Sequence, residues 1–177
     1  MEKNWMELLE QGNQVARIMQ TNEYSEKYGL TLTEEESKAL VTERKNSLKE
    51  QRRVEFGQGI LPKLIYVFCD SQYISQKNYE ETLAQLQDIF YLYKNEMMDE
   101  ITDDELLHFM RDQFDTICYG DVEYLAGTCL DNFAQAIRAG YAEYKRTDGY
   151  GVYGTIDEVP RWDNELYLQA LRELCWK

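Results

Sequence analysis

Apolar residues recur at every third or fourth position along almost the whole of this 177-residue chain, and only 2 prolines occur in it. Such spacing places apolar side chains on one face of an α-helix. Thr33 to Glu36 and Thr102 to Glu105 each match the Thr-x-x-Glu pattern of a capping box at a helix start. The sequence therefore predicts an all-α fold, a single-domain multi-helix bundle of about six to eight helices over residues 1–177.

The expected helices are separated by Gly, Pro and capping residues. They span about residues 5–19, 23–28, 34–54, 62–69, 79–97, 103–119, 122–139 and 163–176, with a Gly/Tyr-rich loop at about 147–160. In the helix after Pro62, the side chains of Leu64, Ile65, Val67 and Phe68 are spread around the axis. We therefore expect that helix to be buried on most sides.

The amino-acid composition disfavours several classes of function. The single His, His108, removes most catalytic and metal-binding constellations that depend on imidazole. A net charge of -14 disfavours nucleic acid and anionic lipid, and no apolar stretch is long enough to cross a membrane. Cysteines 69, 118, 129 and 175 form no Cys-x-x-Cys pair and have apolar neighbours, so we expect reduced core thiols in a cytoplasmic protein. We predict no catalytic residues, metal or cofactor.

Two motifs resemble ligand sites. Glu105 and His108 have the Glu-x-x-His spacing of metal-binding bundles, but they fall opposite the apolar stripe and are expected to face water. Gly149 to Gly154 reads G-x-G-x-x-G, yet it lacks the preceding strand and following helix that dinucleotide binding needs. A flexible loop is expected there, with partner contact as the alternative.

A third candidate is the turn between Glu55 and Ile60. Gly-rich turns before a helix expose backbone amides to anions, and nearby cations strengthen such a site. The predicted anion-binding residues are Arg52, Arg53, Gly57, Gly59 and Lys63. The competing interpretation is a tight connection between helices whose glycines only satisfy backbone geometry.

The charge distribution is uneven. Four cations lie within about 60° on the helix that starts at Glu34, and we predict them as a partner-binding stripe with exposed, largely unpaired charges: Lys38, Lys45, Lys49 and Arg52. The stretch from Glu96 to Glu105 carries six acidic residues and no cation. In the simpler interpretation, these charges only keep the protein soluble. In the alternative, they recruit a protein partner or drive self-association.

Four stretches resemble a family of uncharacterised bacterial proteins classed as a domain of unknown function. They are EYSEKYGLTLTEEESKALVTER (23–44), EFGQGILPKLIYVFCDSQYI (55–74), NYEETLAQLQDIFYLYKNE (78–96) and GDVEYLAGTCLDNFAQAIR (120–138). The resemblance covers about residues 20–140 and implies a bacterial, cytoplasmic setting. It supplies no site residue, substrate or cofactor.

Two function classes remain. The first is a non-enzymatic helical protein-interaction module, because no acid, base and nucleophile are assembled in the sequence. The alternative is a small-molecule or phosphate-binding helical protein, or an enzyme, with a site near Arg52, Arg53 and Lys63. DNA mimicry is a third hypothesis, although the acidic residues show no regular phosphate-like spacing.

Overall fold

All secondary structure in the described part of the chain is helical. A computed structural model describes residues 2–57 and 59–138, and it is 73% helical without strands in those ranges, which confirms the all-α class. The helices are α1 (Glu2–Gln20), α2 (Asn22–Ser25), a 3-10 turn (Glu26–Tyr28), α3 (Glu34–Glu50), α4 (Leu61–Phe68), α5 (Tyr79–Glu96), α6 (Asp103–Thr116), α7 (Val122–Tyr124), a π-helix (Leu125–Leu130) and α8 (Asp131–Ala136). The expected loop at 147–160 and the last expected helix lie outside the described residues.

The chain divides into two compact units, one ending at Tyr91 and the other beginning at Leu92. In the first unit, α1 packs on α3 and α4, and α2 packs on α4. In the second unit, α6 packs on the π-helix, and the rings of Phe109 and Phe133 stack with their centroids 3.9 Å apart. The single domain over residues 1–177 stays a prediction. No helix among the described residues combines the length and apolar character that a bilayer crossing needs.

Local sequence signals account for the starts of α3, α4 and α6. Both predicted capping boxes are present, at Thr33 with Glu36 and at Thr102 with Glu105. Pro62 lies in the first turn of α4, where its missing amide hydrogen leaves no hydrogen bond unmade. The predicted inner stripe of α5, with Met97 directly after the helix, is buried: Tyr79, Leu83, Leu86, Phe90, Tyr93 and Met97.

α3 is shorter than predicted. It ends at Glu50 rather than near Val54, because Arg52 adopts a left-handed conformation with φ 55°. The Arg53 amide then donates a hydrogen bond to the Leu48 carbonyl, five residues earlier, at 2.8 Å. Such a bond is typical of a helix C-terminus that ends at a left-handed residue. Arg52 therefore lies beyond the helix, and its predicted place on the helical stripe is wrong.

α1 is helical as expected, but only its second half packs on the rest of the first unit. Val15 and Ile18 are buried, whereas Trp5 is 65% exposed and Met6, Leu8 and Leu9 are at least half exposed. The first turns of α1 thus present apolar surface to solvent, a feature that often marks an interaction site.

Candidate functional site

The three lysines of the predicted stripe are exposed on α3. Lys38 Nζ lies 3.1 Å from Glu34 Oε1, and Lys45 Nζ lies 3.9 Å from Glu7 Oε2. The expectation of unpaired charges is therefore wrong for these two residues. Exposed pairs of this kind contribute less than about 1 kcal/mol, so a partner's carboxylate can replace either one. Lys49 is exposed at the last turn of α3, one turn from Lys45.

A buried arginine on α3 organises the turn that follows the helix. Arg44 is only 5% exposed, and its guanidinium lies 2.9 Å from Glu55 Oε1 and also donates to the Glu55 carbonyl at 3.3 Å. The buried Tyr91 hydroxyl donates to the same carboxylate oxygen at 2.5 Å. Burial raises the pKa of Tyr91, and the Glu55 carboxylate raises it further. The hydroxyl therefore keeps the proton that it donates. We call this trio the Glu55 clamp.

Gly59 is needed because the Glu55 clamp lies against its backbone. A Cβ at this position would collide with Arg44 Nε and with Glu55 Oε1, and Gly59 has a left-handed φ of 75°. The predicted anion site thus has a carboxylate at its centre. Arg52 and Lys63 are exposed, Arg53 is half-buried, and Gly57 is exposed with φ 78°. This geometry accounts for Gly59 as a requirement of packing, and it makes the turn less attractive to an anion.

Apolar side chains on either side of Glu55 point into solvent. Val54 is 79% exposed and Phe56 is 89% exposed. Because the Glu55 clamp holds the residue between them, the backbone of this tip is anchored although its apolar side chains are free. An exposed aromatic side chain on an anchored backbone is a common anchor in protein interfaces.

A groove separates the first half of α1 from α3. Its volume is about 660 Å³, and its lining includes apolar, acidic and basic side chains: Glu7, Leu8, Glu10, Gln11, Gln14, Val41, Thr42, Arg44, Lys45 and Leu48. Both cations in this lining already contact carboxylates, Arg44 with Glu55 and Lys45 with Glu7. The groove therefore offers apolar surface with balanced charge rather than a cationic pocket.

The acidic stretch from Glu96 to Glu105 is partly neutralised, contrary to its appearance in the sequence. Lys94 Nζ is buried and lies 2.9 Å from Asp103 Oδ1, and it donates to the Ile101 carbonyl at 2.7 Å. Arg138 lies 3.0 Å from Glu96 Oε2. These cations come from positions before and after the stretch, so the absence of a cation within it does not describe the folded chain.

The Glu105 and His108 pair is also different from the prediction. His108 is exposed as expected, but Glu105 is buried at the start of α6. Glu105 is the last residue of the capping box, and its carboxylate turns back to the Thr102 amide instead of extending into water. The two side chains therefore do not form the solvent-facing pair that the helical spacing predicted.

Comparison with known proteins identifies a family. A family model described as a family of unknown function (DUF6323) matches residues 17–143. The chain belongs to this family. No curated protein and no solved structure matches this DUF6323 chain. The matched range includes α3, the Glu55 clamp and the exposed tip, whereas Trp5 and Leu8 precede it.

Sequence reasoning missed Arg44 in this DUF6323 protein, although a signal was present. The buried face of α3 comprises Ser37, Leu40, Val41, Arg44 and Ser47, which recur at helical spacing. An arginine on such a face must find a carboxylate, because an unpaired buried charge is costly. The sequence did not show that Glu55, eleven residues later, supplies it, since that depends on the early end of α3.

Proposed function

We propose that this DUF6323 protein is a non-enzymatic helical interaction module that binds a second protein. The docking face consists of Leu8 on α1, Lys45 and Lys49 on α3, and Val54 and Phe56 at the tip after α3. The observation that carries the proposal is the exposure of Phe56 beside a residue held by the Glu55 clamp. Anchored backbone lowers the entropy that binding would otherwise cost.

The charge of the docking face defines the partner. Lys45 and Lys49 precede the apolar tip along the chain, and Leu8 and Lys45 line the same groove. The complementary surface has an apolar pocket for Phe56 with Asp or Glu around it. We place this module in the bacterial cytoplasm, in keeping with free, buried thiols at Cys69, Cys118 and Cys129.

Capture experiments with matched variants test the proposal. The full-length protein is used as bait in extract of the native organism, beside Phe56→Ala and the double variant Lys45→Glu/Lys49→Glu. Loss of a buried aromatic anchor costs about 2 kcal/mol or more, which corresponds to at least about a 30-fold weaker complex. We expect the same captured protein to be lost in both variants, with little change in stability, since these residues are exposed.

Two controls separate docking from general effects of charge and hydrophobicity. Lys27→Glu/Lys77→Glu makes the same change in net charge at other exposed positions, and Met98→Ser removes another exposed apolar side chain. Both controls should retain the captured protein. If parent and docking variants capture the same proteins, the proposal is wrong. If light scattering shows a parent dimer that Phe56→Ala dissociates, the partner is a second copy of this chain.

The second candidate is a small-molecule or phosphate-binding protein with a site near Arg52, Arg53 and Lys63, although none of these three residues lines the groove between α1 and α3. The supporting observation is the concave surface of about 660 Å³ whose lining includes Arg44, a member of the Glu55 clamp that the turn packs against. An increase in melting temperature with millimolar phosphate, abolished in Arg53→Ala, would favour it. An unchanged melting temperature favours the interaction module.

A further inference from the structure

Two buried cysteine thiols touch in the second unit. The Sγ atoms of Cys118 and Cys129 are 3.5 Å apart, and neither residue has more than 5% of its surface exposed. A disulfide bond has a sulfur separation of about 2.0 Å, so these sulfurs are in contact but not bonded. Cys69, the other described cysteine, belongs to the first unit.

The backbone holds the two thiols together from both sides. After α6, the amide of Cys118 donates to the Gln113 carbonyl, and the amide of Gly120 donates to the Phe114 carbonyl, each at 2.9 Å. Tyr119 and Gly120 are both left-handed, with φ 49° and 84°, and they reverse the chain toward the π-helix that contains Cys129. Phe114, four residues before Cys118, and Leu125 and Leu130, on either side of Cys129, are buried, so packing of both segments places the thiols.

The pair is buried but close to the surface. Tyr119, directly after Cys118, is 71% exposed. Segments between helices open at lower free energy than helix interiors, so this turn is the expected entry route for a molecule the size of hydrogen peroxide. Hydrogen bonding between the two thiols lowers the pKa of Cys129 and raises the pKa of Cys118, so Cys129 is the sulfur that ionises first.

We propose that Cys118 and Cys129 are a peroxide-sensitive dithiol that closes into a reversible disulfide. The Cys129 thiolate attacks one oxygen of hydrogen peroxide, the O–O bond breaks, and the released hydroxide takes a proton to become water. Cys118 then loses its proton and attacks the sulfur of the Cys129 sulfenic acid, and the hydroxide that leaves becomes a second water. Two thiols are oxidised and one peroxide is reduced, with no other reactant.

Peptide mapping of the full chain tests this inference directly. Trypsin cleaves after Arg111 and Arg138, and the peptide between them contains both cysteines and no other Lys or Arg before Arg138. After treatment of the folded protein with hydrogen peroxide and then iodoacetamide, we expect this peptide to be about 2 Da lighter than its reduced form and to carry no alkyl group. Dithiothreitol should restore two alkylation sites.

Variants establish which thiols are required. Cys118→Ser and Cys129→Ser should each abolish the lighter peptide, while Cys69→Ser, the matched control at another buried cysteine, should keep it. Circular dichroism verifies that each variant is folded. If a serine variant unfolds, peptide mapping of the unaltered chain alone tests whether the disulfide forms. Alkylation of both thiols after peroxide, or a bond to Cys69 or Cys175 instead, overturns the inference.

Discussion

The Glu55 clamp shows how one buried charge fixes the backbone around it. Arg44 is expensive to bury without a counter-charge, and Glu55 reaches it only because the chain turns immediately after Glu50. That turn in turn requires left-handed residues at Arg52, Gly57 and Gly59. The turn and its three left-handed residues thus accompany the pairing of a single guanidinium.

The left-handed backbone at Arg52 makes a prediction about stability. A residue with a Cβ loses about 1 kcal/mol in this conformation, and glycine does not. We expect Arg52→Gly to raise the free energy of unfolding by about 0.5 kcal/mol, since the greater freedom of glycine in the unfolded chain offsets part of the gain.

Arg52→Ala is the matched control, because it removes the same side chain but keeps a Cβ. Urea denaturation of both variants measures the difference. Equal stabilities for the Gly and Ala variants would show that the backbone at this position is not strained.

At the scale of helices, the segment from Val122 to Ala136 shows a signal that helical spacing alone did not resolve. Its buried residues Leu125, Cys129, Phe133 and Ile137 are each four apart. In an α-helix of 3.6 residues per turn, four such residues would drift around the axis. The π-helix from Leu125 to Leu130 takes more residues per turn and compensates part of this drift. The sequence shows this spacing of four, but helical spacing alone did not predict a π-helix in the segment.

The packing of α3 and α5 places two carboxylates together. The hydrogen bond and charge of Asp88, together with partial burial and the nearby Glu50, raise the pKa of Glu43, and Ser47 donates to Asp88. A carboxyl whose pKa is raised in the folded state stabilises the fold once it is protonated, and this contribution is lost as pH rises through the folded pKa. Repulsion between Glu43 and Asp88 therefore costs stability at neutral pH.

We expect Glu43→Gln to raise the free energy of unfolding by about 0.5 kcal/mol at about pH 7.5, a small effect because Glu43 is only partly buried. The gain should shrink when the pH is lowered to about 4.5, the ordinary pKa of a glutamate, because the raised pKa of Glu43 leaves its carboxyl mostly protonated there in the folded parent. Glu35→Gln, at an exposed position near the start of α3, is the control for loss of one charge. A gain that is the same at both pH values contradicts the proposed repulsion. Urea titrations at the two pH values measure it.

For the whole molecule, the sequence predicted those structural features that depend on residues close together in the chain. The helical class, both capping boxes and the buried stripe of α5 were correct. Several errors arise from contacts with residues outside the segment considered, whereas the pairing of Lys38 with Glu34 and the cap contact of Glu105 are local. Lys94 and Arg138 neutralise acids that looked unpaired, and the early end of α3 accompanies the pairing of Arg44 with Glu55. The site residues remain predictions because no comparison tests them.

The apolar helix α4 provides the test of where the core of the first unit lies. Phe68 is fully buried there, with Leu64 and Ile65, whereas Tyr66 on the same helix is half exposed. We expect Phe68→Ala to lower the free energy of unfolding by about 3 to 5 kcal/mol. Tyr66→Ala is the control and should lose less than half of that amount. A loss below about 1 kcal/mol for Phe68→Ala in urea denaturation would place the core elsewhere.

The exposure of Trp5 also gives the protein an optical use. Its indole lies one helical turn before Leu8, on the uncovered part of α1, and the other two tryptophans are Trp162 and Trp176. With those two replaced by phenylalanine, all tryptophan fluorescence would come from a solvated ring beside the docking face. Burial by a bound partner would shift its emission to shorter wavelength, because the indole would leave water. The protein thus carries a built-in fluorophore from which a binding isotherm can be read without a label.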